Sequence, residues 1–144
     1  MSLLGKKKHK VLIAEDEANI RNILKFTLEG AGYEVVDFEN GALALEAIPR
    51  ENPDLVMLDV MMPLKNGFEV CYEIKNNTKF EHIPVIILTA TTQTSNKGDD
   101  YWKVKSRADA FMTKPFKSSE LVKKIGELIA DEKSEKKDKS RFRI

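Results

Sequence analysis

Short apolar, β-branched runs alternate along this chain with segments of helical period, and that alternation restricts the possible folds more than any other feature. The first kind of segment includes Val11-Leu12-Ile13-Ala14, Val35-Val36 within 33–38, Leu55-Val56-Met57-Leu58, Val85-Ile86-Ile87-Leu88 and a run over 108–113 centred on Ala110, Phe111 and Met112. Runs of this length without polar alternation suit strands buried on both faces. The second kind steps by three or four. Ile20, Ile23, Leu24, Leu28 and Ala31 do so ahead of a Gly32 stop, and Ala42, Leu43, Leu45, Ala47 and Ile48 follow Asn40-Gly41. Phe68, Val70, Cys71 and Ile74 form a third set, and Leu121, Val122, Ile125, Leu128 and Ile129 a last one opened by Ser118-Ser119-Glu120 as cap residues. Between them, the polar stretch 91–107 predicts one further helix within 96–106. Strand followed by helix, five times over, predicts an α/β fold: a doubly wound, five-stranded parallel sheet with helices on both faces, joined by right-handed crossovers.

Charge and length set the outer limits. The 144 residues carry 24 basic and 23 acidic side chains, a net charge of +1. Residues 1–10 hold four Lys and no acid, and residues 131–144 hold six basic and four acidic groups. The body between them has 14 basic against 19 acidic groups, or −5. This argues against a dedicated nucleic-acid binder, which shows a basic stripe on a folded face. With 42% apolar residues the chain is also unlike an acidic disordered protein. These shifts divide the chain into a basic leader over 1–8, one folded domain over 9–130, and a charged tail over 131–144 expected to be frayed or disordered. A single cysteine, Cys71, leaves no internal disulfide and points to a reducing, cytoplasmic setting. No apolar run approaches the ~20 residues of a membrane helix, and no secretory signal follows Lys6-Lys7-Lys8.

In an open α/β sheet, ligands bind beyond the carboxyl ends of the strands. Glu15 and Asp16 follow the first strand, Asp59 ends the third, Thr89 follows the fourth, and Lys114 follows the fifth. Each has an ordinary reading: an acid after a strand can cap the next helix, Thr can be a turn residue, and Lys before Pro a solvated charge. Delivered together to one edge, they describe a site. Carboxylates a few Å apart repel by about several kcal/mol at intermediate dielectric. A hard divalent ion with few protein ligands, such as Mg²⁺, relieves that conflict. An ammonium and a hydroxyl beside it suit a tetrahedral dianion such as phosphate, and a carboxylate can itself be the nucleophile, forming an acyl phosphate.

The blocks Val11-Leu12-Ile13-Ala14-Glu15-Asp16-Glu17, Leu58-Asp59-Val60-Met61-Met62-Pro63 with Gly67, Leu88-Thr89-Ala90 and Met112-Thr113-Lys114-Pro115-Phe116 resemble a bacterial response-regulator receiver domain, the family of the chemotaxis response regulator. The resemblance covers roughly 8–130, in order, and implies the flavodoxin-like strand order 2-1-3-4-5. It implies a phosphorylation-activated switch of a two-component system. Asp59 would accept a phosphoryl group from a phosphohistidine of a sensor histidine kinase or phosphotransfer protein. Asp16 and Glu15, with Asp59 and the backbone carbonyl of Met61, would hold Mg²⁺. Lys114 and Thr89 would bind phosphoryl oxygens, Phe111 would be the switch aromatic coupled to Thr89, and Pro115 would follow a cis peptide. A surface of the fourth helix, fifth strand and fifth helix would then change for a downstream protein target, with a phosphorylation-dependent dimer as one form of output. The resemblance implies a signalling domain with no activity beyond its own phosphorylation and dephosphorylation, no membrane contact, and no direct nucleic-acid contact by this chain.

Three departures stand out. The first acid is Glu15 where Asp is commoner, the stretch from Thr89 to Lys114 is longer and more polar than usual, and Ser106-Arg107-Ala108 stands where Ala-Gly-Ala is expected. Trp102, in that stretch, is read as packing under the loop or as a partner contact. Rival readings remain. A phosphatase of the haloacid-dehalogenase type would want a second Asp two residues after Asp59, where Met61 stands. The chain can also be the receiver segment of a larger DNA-binding or enzymatic regulator, or a receiver-like module that is never phosphorylated.

Overall fold

Successive residues of a strand leave the sheet on opposite sides, and here that rule divides the apolar residues into two cores. The computed structural model describes residues 8–90 and 97–141. In chain order they form β1 (Lys10–Ala14), α1 (Ala18–Gly30), β2 (Glu34–Phe38), α2 (Gly41–Glu51), β3 (Leu55–Asp59), α3 (Gly67–Lys75), β4 (Val85–Ala90), α4 (Lys97–Ser106), β5 (Ala110–Lys114) and α5 (Ser118–Arg141). The strands make one parallel sheet in the order β2-β1-β3-β4-β5. On one face Leu12, Val56, Leu58, Val85 and Ile87 pack with Ala44, Ala47 and Ile48 of α2 and Phe68, Cys71 and Ile74 of α3. On the other, Val11, Ile13, Leu55, Met57, Ile86 and Leu88 pack with Leu24 and Leu28 of α1 and Leu121, Ile125 and Ile129 of α5. This is the expected doubly wound architecture, with the carboxyl ends of β1, β3, β4 and β5 along one edge.

The central strands β1, β3 and β4 are buried on both sides, as their unbroken apolar runs require. The fifth run is different. β5 lies at the sheet edge with β4 as its neighbour, and it alternates, with Phe111 and Thr113 exposed between half-buried Ala110, Met112 and Lys114. Its apolar composition had suggested burial on both faces, but an edge position with partial cover exposes one side.

Local signals stop and start the helices. Gly32 takes φ +97 after α1; the amide of Tyr33 donates to the Leu28 carbonyl at 3.0 Å and that of Gly32 to Glu29 at 3.1 Å, a Schellman close. The Asn40 side chain caps α2 by accepting from the Leu43 amide at 2.8 Å. Asn66 and Glu69 form a reciprocal capping box on α3. α5 continues to Arg141, through a segment whose composition predicted a frayed or disordered tail. Its residues are mostly good helix formers. Of the basic leader only Lys8 is among the described residues.

α4 adds no large apolar residue to either core among the described residues; Tyr101 and Val104 are exposed, and the side chain of Trp102 lies outside the described residues. Its anchorage is polar and lies at its C-terminus. The Cys71 thiol donates to the Ser106 carbonyl at 3.2 Å, and the Arg107 guanidinium donates to the Lys75 carbonyl. Arg107 occupies the left-handed region at φ 60, the conformation for which the family-like Gly would be the natural choice. Below it, the buried Lys75 ammonium pairs with Asp109 at 2.7 Å and donates to the carbonyls of Ile83 at 2.8 Å and Glu81 at 3.2 Å. The same Asp109 oxygen accepts from the Val85 amide at 2.8 Å. Asp109→Ala removes an acceptor from both the Lys75 ammonium and the Val85 amide. It is expected to lower unfolding stability by about 1–2 kcal/mol in denaturant titration, and a loss under about 0.5 kcal/mol would show that the pair does not hold this corner.

Candidate functional site

The site assembles because backbone contacts fix the two acids that matter most. Glu15 follows β1, and its amide donates to the Phe38 carbonyl at 3.0 Å while its own carbonyl accepts from Arg21 Nη1 at 2.8 Å. Arg21 Nε also pairs with Asp37 at 3.3 Å, so α1, β2 and the end of β1 are tied at one point. Asp59 closes β3, and α3 begins against its backbone: a Cβ on Gly67 would stand 2.4 Å from the Asp59 carbonyl oxygen and 3.2 Å from Val60 Cα. Only a glycine permits that approach. The Gly67 amide donates to the Val60 carbonyl at 3.1 Å. Between them Leu64 adopts φ 71, and the Lys65 amide bonds the Pro63 carbonyl at 2.8 Å, a tight γ-turn with an exposed apolar residue at its tip.

Lys114, the last residue of β5, reaches across to both carboxylates. Its Nζ lies 2.7 Å from Glu15 Oε1 and 2.8 Å from Asp59 Oδ1, and the Lys114–Pro115 peptide is cis. Glu15 is completely buried and Asp59 is 5% exposed. Asp16 is exposed, yet its carboxylate joins the other two: ligand atoms of Glu15, Asp16 and Asp59 lie within 4.8 Å of one another. One ammonium does not balance this set. Glu15 Oε2 is buried without a hydrogen-bond partner among the described residues. Burial, with the Asp59 charge behind it, pushes the Glu15 carboxyl up to about 7 against the pull of Lys114. For Lys114, burial disfavours the ammonium, but the bonds to Asp59 and Glu15 outweigh it and its pKa is raised.

The donor set fits a hard divalent cation. The atoms are carboxylate oxygens, one of them buried with no partner, and one flanking acid faces solvent where bound waters can complete a shell. Zinc would favour nitrogen or sulfur donors, and none is in this group. Met61 follows one residue beyond Val60 in the same loop, with an exposed side chain. Thr89, at the end of β4, is half-buried beside the edge strand and opposite Thr113. Phe111, opposite Ile87, is 37% exposed. Thus Glu15, Asp16, Asp59 and Lys114 are in one cluster, and Phe111 stands apart from it on the edge strand. Cys71, read from its position as a core residue, is buried with its thiol pushed up to about 12 by burial.

Sequence reasoning missed Arg21 and the two tight glycines. Arg21 sits on a helix whose spacing signals only an apolar face, and nothing local marks it as the residue that holds the Glu15 carbonyl. The Gly67 motif position carries no local sign of its close approach to Asp59. Gly41 has the same kind of reason, since a Cβ there would fall 2.2 Å from the Lys65 carbonyl oxygen and 2.8 Å from Val70.

The Glu15 shift makes stability depend on pH. A carboxyl near 7 in the folded chain and near 4.5 when unfolded favours folding below pH 4.5, and that contribution is lost as pH rises through 7. Without divalent ions, the wild type is expected to lose on the order of 2 kcal/mol relative to Glu15→Gln between pH 5 and pH 8. Parallel stability curves for the two proteins across that range would contradict this.

Comparison with known proteins agrees with this geometry. Residues 11–126 match the model of the response regulator receiver domain. The chain is 38% identical over 122 residues to a probable transcriptional regulator ycf27 of Porphyridium aerugineum, covering 85% of this chain and 48% of that protein. It is 42% identical over 120 residues to the Galdieria sulphuraria ycf27 regulator, covering 83% and 45%. The chain thus spans about half the length of the curated relatives it matches. Among solved structures it resembles the signal receiver domain of a signal transduction histidine kinase from Syntrophus aciditrophicus, with TM-score 0.80, 32% identity and 85% and 91% of the two chains covered. Chemotaxis protein CheY4 of Vibrio cholerae gives TM-score 0.76 at 27% identity, covering 85% and 99%. Sequence match, strand order and the acidic strand ends agree, and the chain belongs to the response-regulator receiver domain family.

Proposed function

We propose that this receiver domain is a signalling switch that accepts a phosphoryl group on Asp59 from the phosphohistidine of a sensor histidine kinase or phosphotransfer protein. The observation that carries this reading is the Lys114 bridge, with one ammonium within 2.8 Å of both Asp59 and Glu15 beside the Asp16 carboxylate. Glu15, Asp16 and Asp59, with the Met61 carbonyl, would hold Mg²⁺, which when bound neutralises the acids and the incoming phosphoryl oxygens. An Asp59 oxygen attacks phosphorus, the phosphorus–nitrogen bond of the donor breaks, and its electron pair returns to the imidazole. Lys114 is already placed to follow the charge from the carboxylate to the phosphoryl group. Thr89 donates its hydroxyl to a phosphoryl oxygen, and the space it leaves admits Phe111. Water later returns Asp59 to a free carboxylate, the one turnover the domain performs on itself.

The readout is the surface of α4, β5 and α5, presented to a protein partner in the cytoplasm or to a second phosphorylated copy. The relatives' length favours one more specific setting. Their names describe transcriptional regulators about twice as long as this chain, which supports a role as the receiver segment of a DNA-binding regulator. Among the described residues, no helix is long and apolar enough to cross a membrane.

Intact mass measured after incubation with acetyl phosphate tests the reading. A single phosphoryl adduct is expected on the wild type with Mg²⁺ present, strongly reduced in EDTA and absent in Asp59→Asn. An unmodified wild type, or an Asp59→Asn variant that still gains the group, would overturn it.

A further inference from the structure

We propose that Lys103 is a positioning residue that holds the Phe111 ring outward in the resting protein, coupling α4 to the phosphoryl site through one cation–π contact. The proposal rests on the reading of Thr89 and Phe111 as the switch pair. Its first support is placement. Phe111 pairs with Ile87 across the β4–β5 ladder, and Thr89 pairs with Thr113. Residues two apart on a strand share a face, so Ile87, Thr89 and Phe111 face the same side of the sheet, the side that carries α3.

The second support is what holds Phe111 where it is. A tyrosine in this position can fix its ring with a hydroxyl hydrogen bond, but phenylalanine has none. Instead Lys103 Nζ stands 5.9 Å from the Phe111 centroid, within the range at which an ammonium is attracted to a ring face. A 37% exposed apolar ring gains nothing from water by remaining outward. A partner on α4 supplies a reason for it to stay.

The third support is the way α4 is fastened. Its C-terminal end is tied to α3 by Cys71 to the Ser106 carbonyl, by Arg107 to the Lys75 carbonyl, and by Lys105. The Lys105 ammonium lies 5.5 Å from the Tyr72 ring and 5.3 Å from the Tyr101 ring and donates to the Tyr101 hydroxyl at 2.8 Å. These contacts lie at 101–107, and none of them touches β5. Among the described residues, Lys103 reaches the β5 aromatic from α4. When Phe111 turns inward the Lys103 contact is lost, while the contacts of 101–107 with α3 remain.

The test uses protein labelled with ¹³C in the phenylalanine rings, with the Phe111 signal assigned through Phe111→Leu. Broadening by a soluble nitroxide reads the exposure of that ring without any phosphorylation. Lys103→Gln should reduce the broadening at Phe111, and Lys103→Arg, which keeps the cation, should retain it. Equal broadening in the wild type and Lys103→Gln would overturn the proposal. A second arm follows the rate of acetyl-phosphate labelling. Removing an exposed cation–π contact from the resting state should raise the rate about two- to fivefold, and the gain should vanish in a Phe111→Leu background. A gain that persists without the Phe111 ring would overturn the coupling. A wild type that forms no adduct would overturn the phosphorylation reading instead, and ring exposure would still decide the Lys103 contact.

Discussion

A buried carboxylate that the described residues leave half satisfied sets the character of this domain. Glu15 is fully enclosed, one oxygen is bound by Lys114, and the other meets no hydrogen-bond donor among the described residues. Proteins rarely leave such an atom unpaired, because the desolvation cost falls in full on the folded state. Here Asp59 and Asp16 add two further acids beside it. The cluster therefore holds an electrostatic conflict that a bound divalent cation would relieve. The −5 charge of the chain's body has one local meaning at this edge, while the basic ends lie away from it in sequence.

The rest of the fold holds those groups close despite their repulsion. Two apolar cores grip β1, β3 and β4 from both sides, so the strand ends cannot drift apart. Arg21 pins the Glu15 backbone, and Gly67 lets α3 begin against the Asp59 carbonyl. Lys114 arrives from the opposite edge of the sheet. Rigidity is concentrated there, and cover thins toward α4, which is fastened by polar contacts at one end. That gradient places the helix with the least apolar cover next to the packed strand ends.

Much of this was legible in the residues because buried parallel strands leave unbroken apolar runs and the helices repeat at a different period. Glu15, Asp16, Asp59 and Lys114 could be named because strand ends are where an open sheet presents chemistry, and the family resemblance then suggested their roles. Other features depend on distances between remote segments. The Arg21 bond to the Glu15 carbonyl and the cation–π contact of Lys103 have no local signature. β5 looked like an interior strand because composition does not say which strand lies at the edge. The segment after Asp131 looked like a loose tail because it lacks apolar residues, although its Glu and Lys spacing also favours a helix, and helix is what it forms.

Whether Glu15, Asp16 and Asp59 act as one cation site is decided by titrating Mg²⁺ into the wild type and Asp16→Asn while recording amide ¹H–¹⁵N shifts. A single saturable response centred on 15–17 and 59–61 is expected, strongly weakened in Asp16→Asn. Shifts centred elsewhere, or an Asp16→Asn protein that binds as tightly as the wild type, would contradict it.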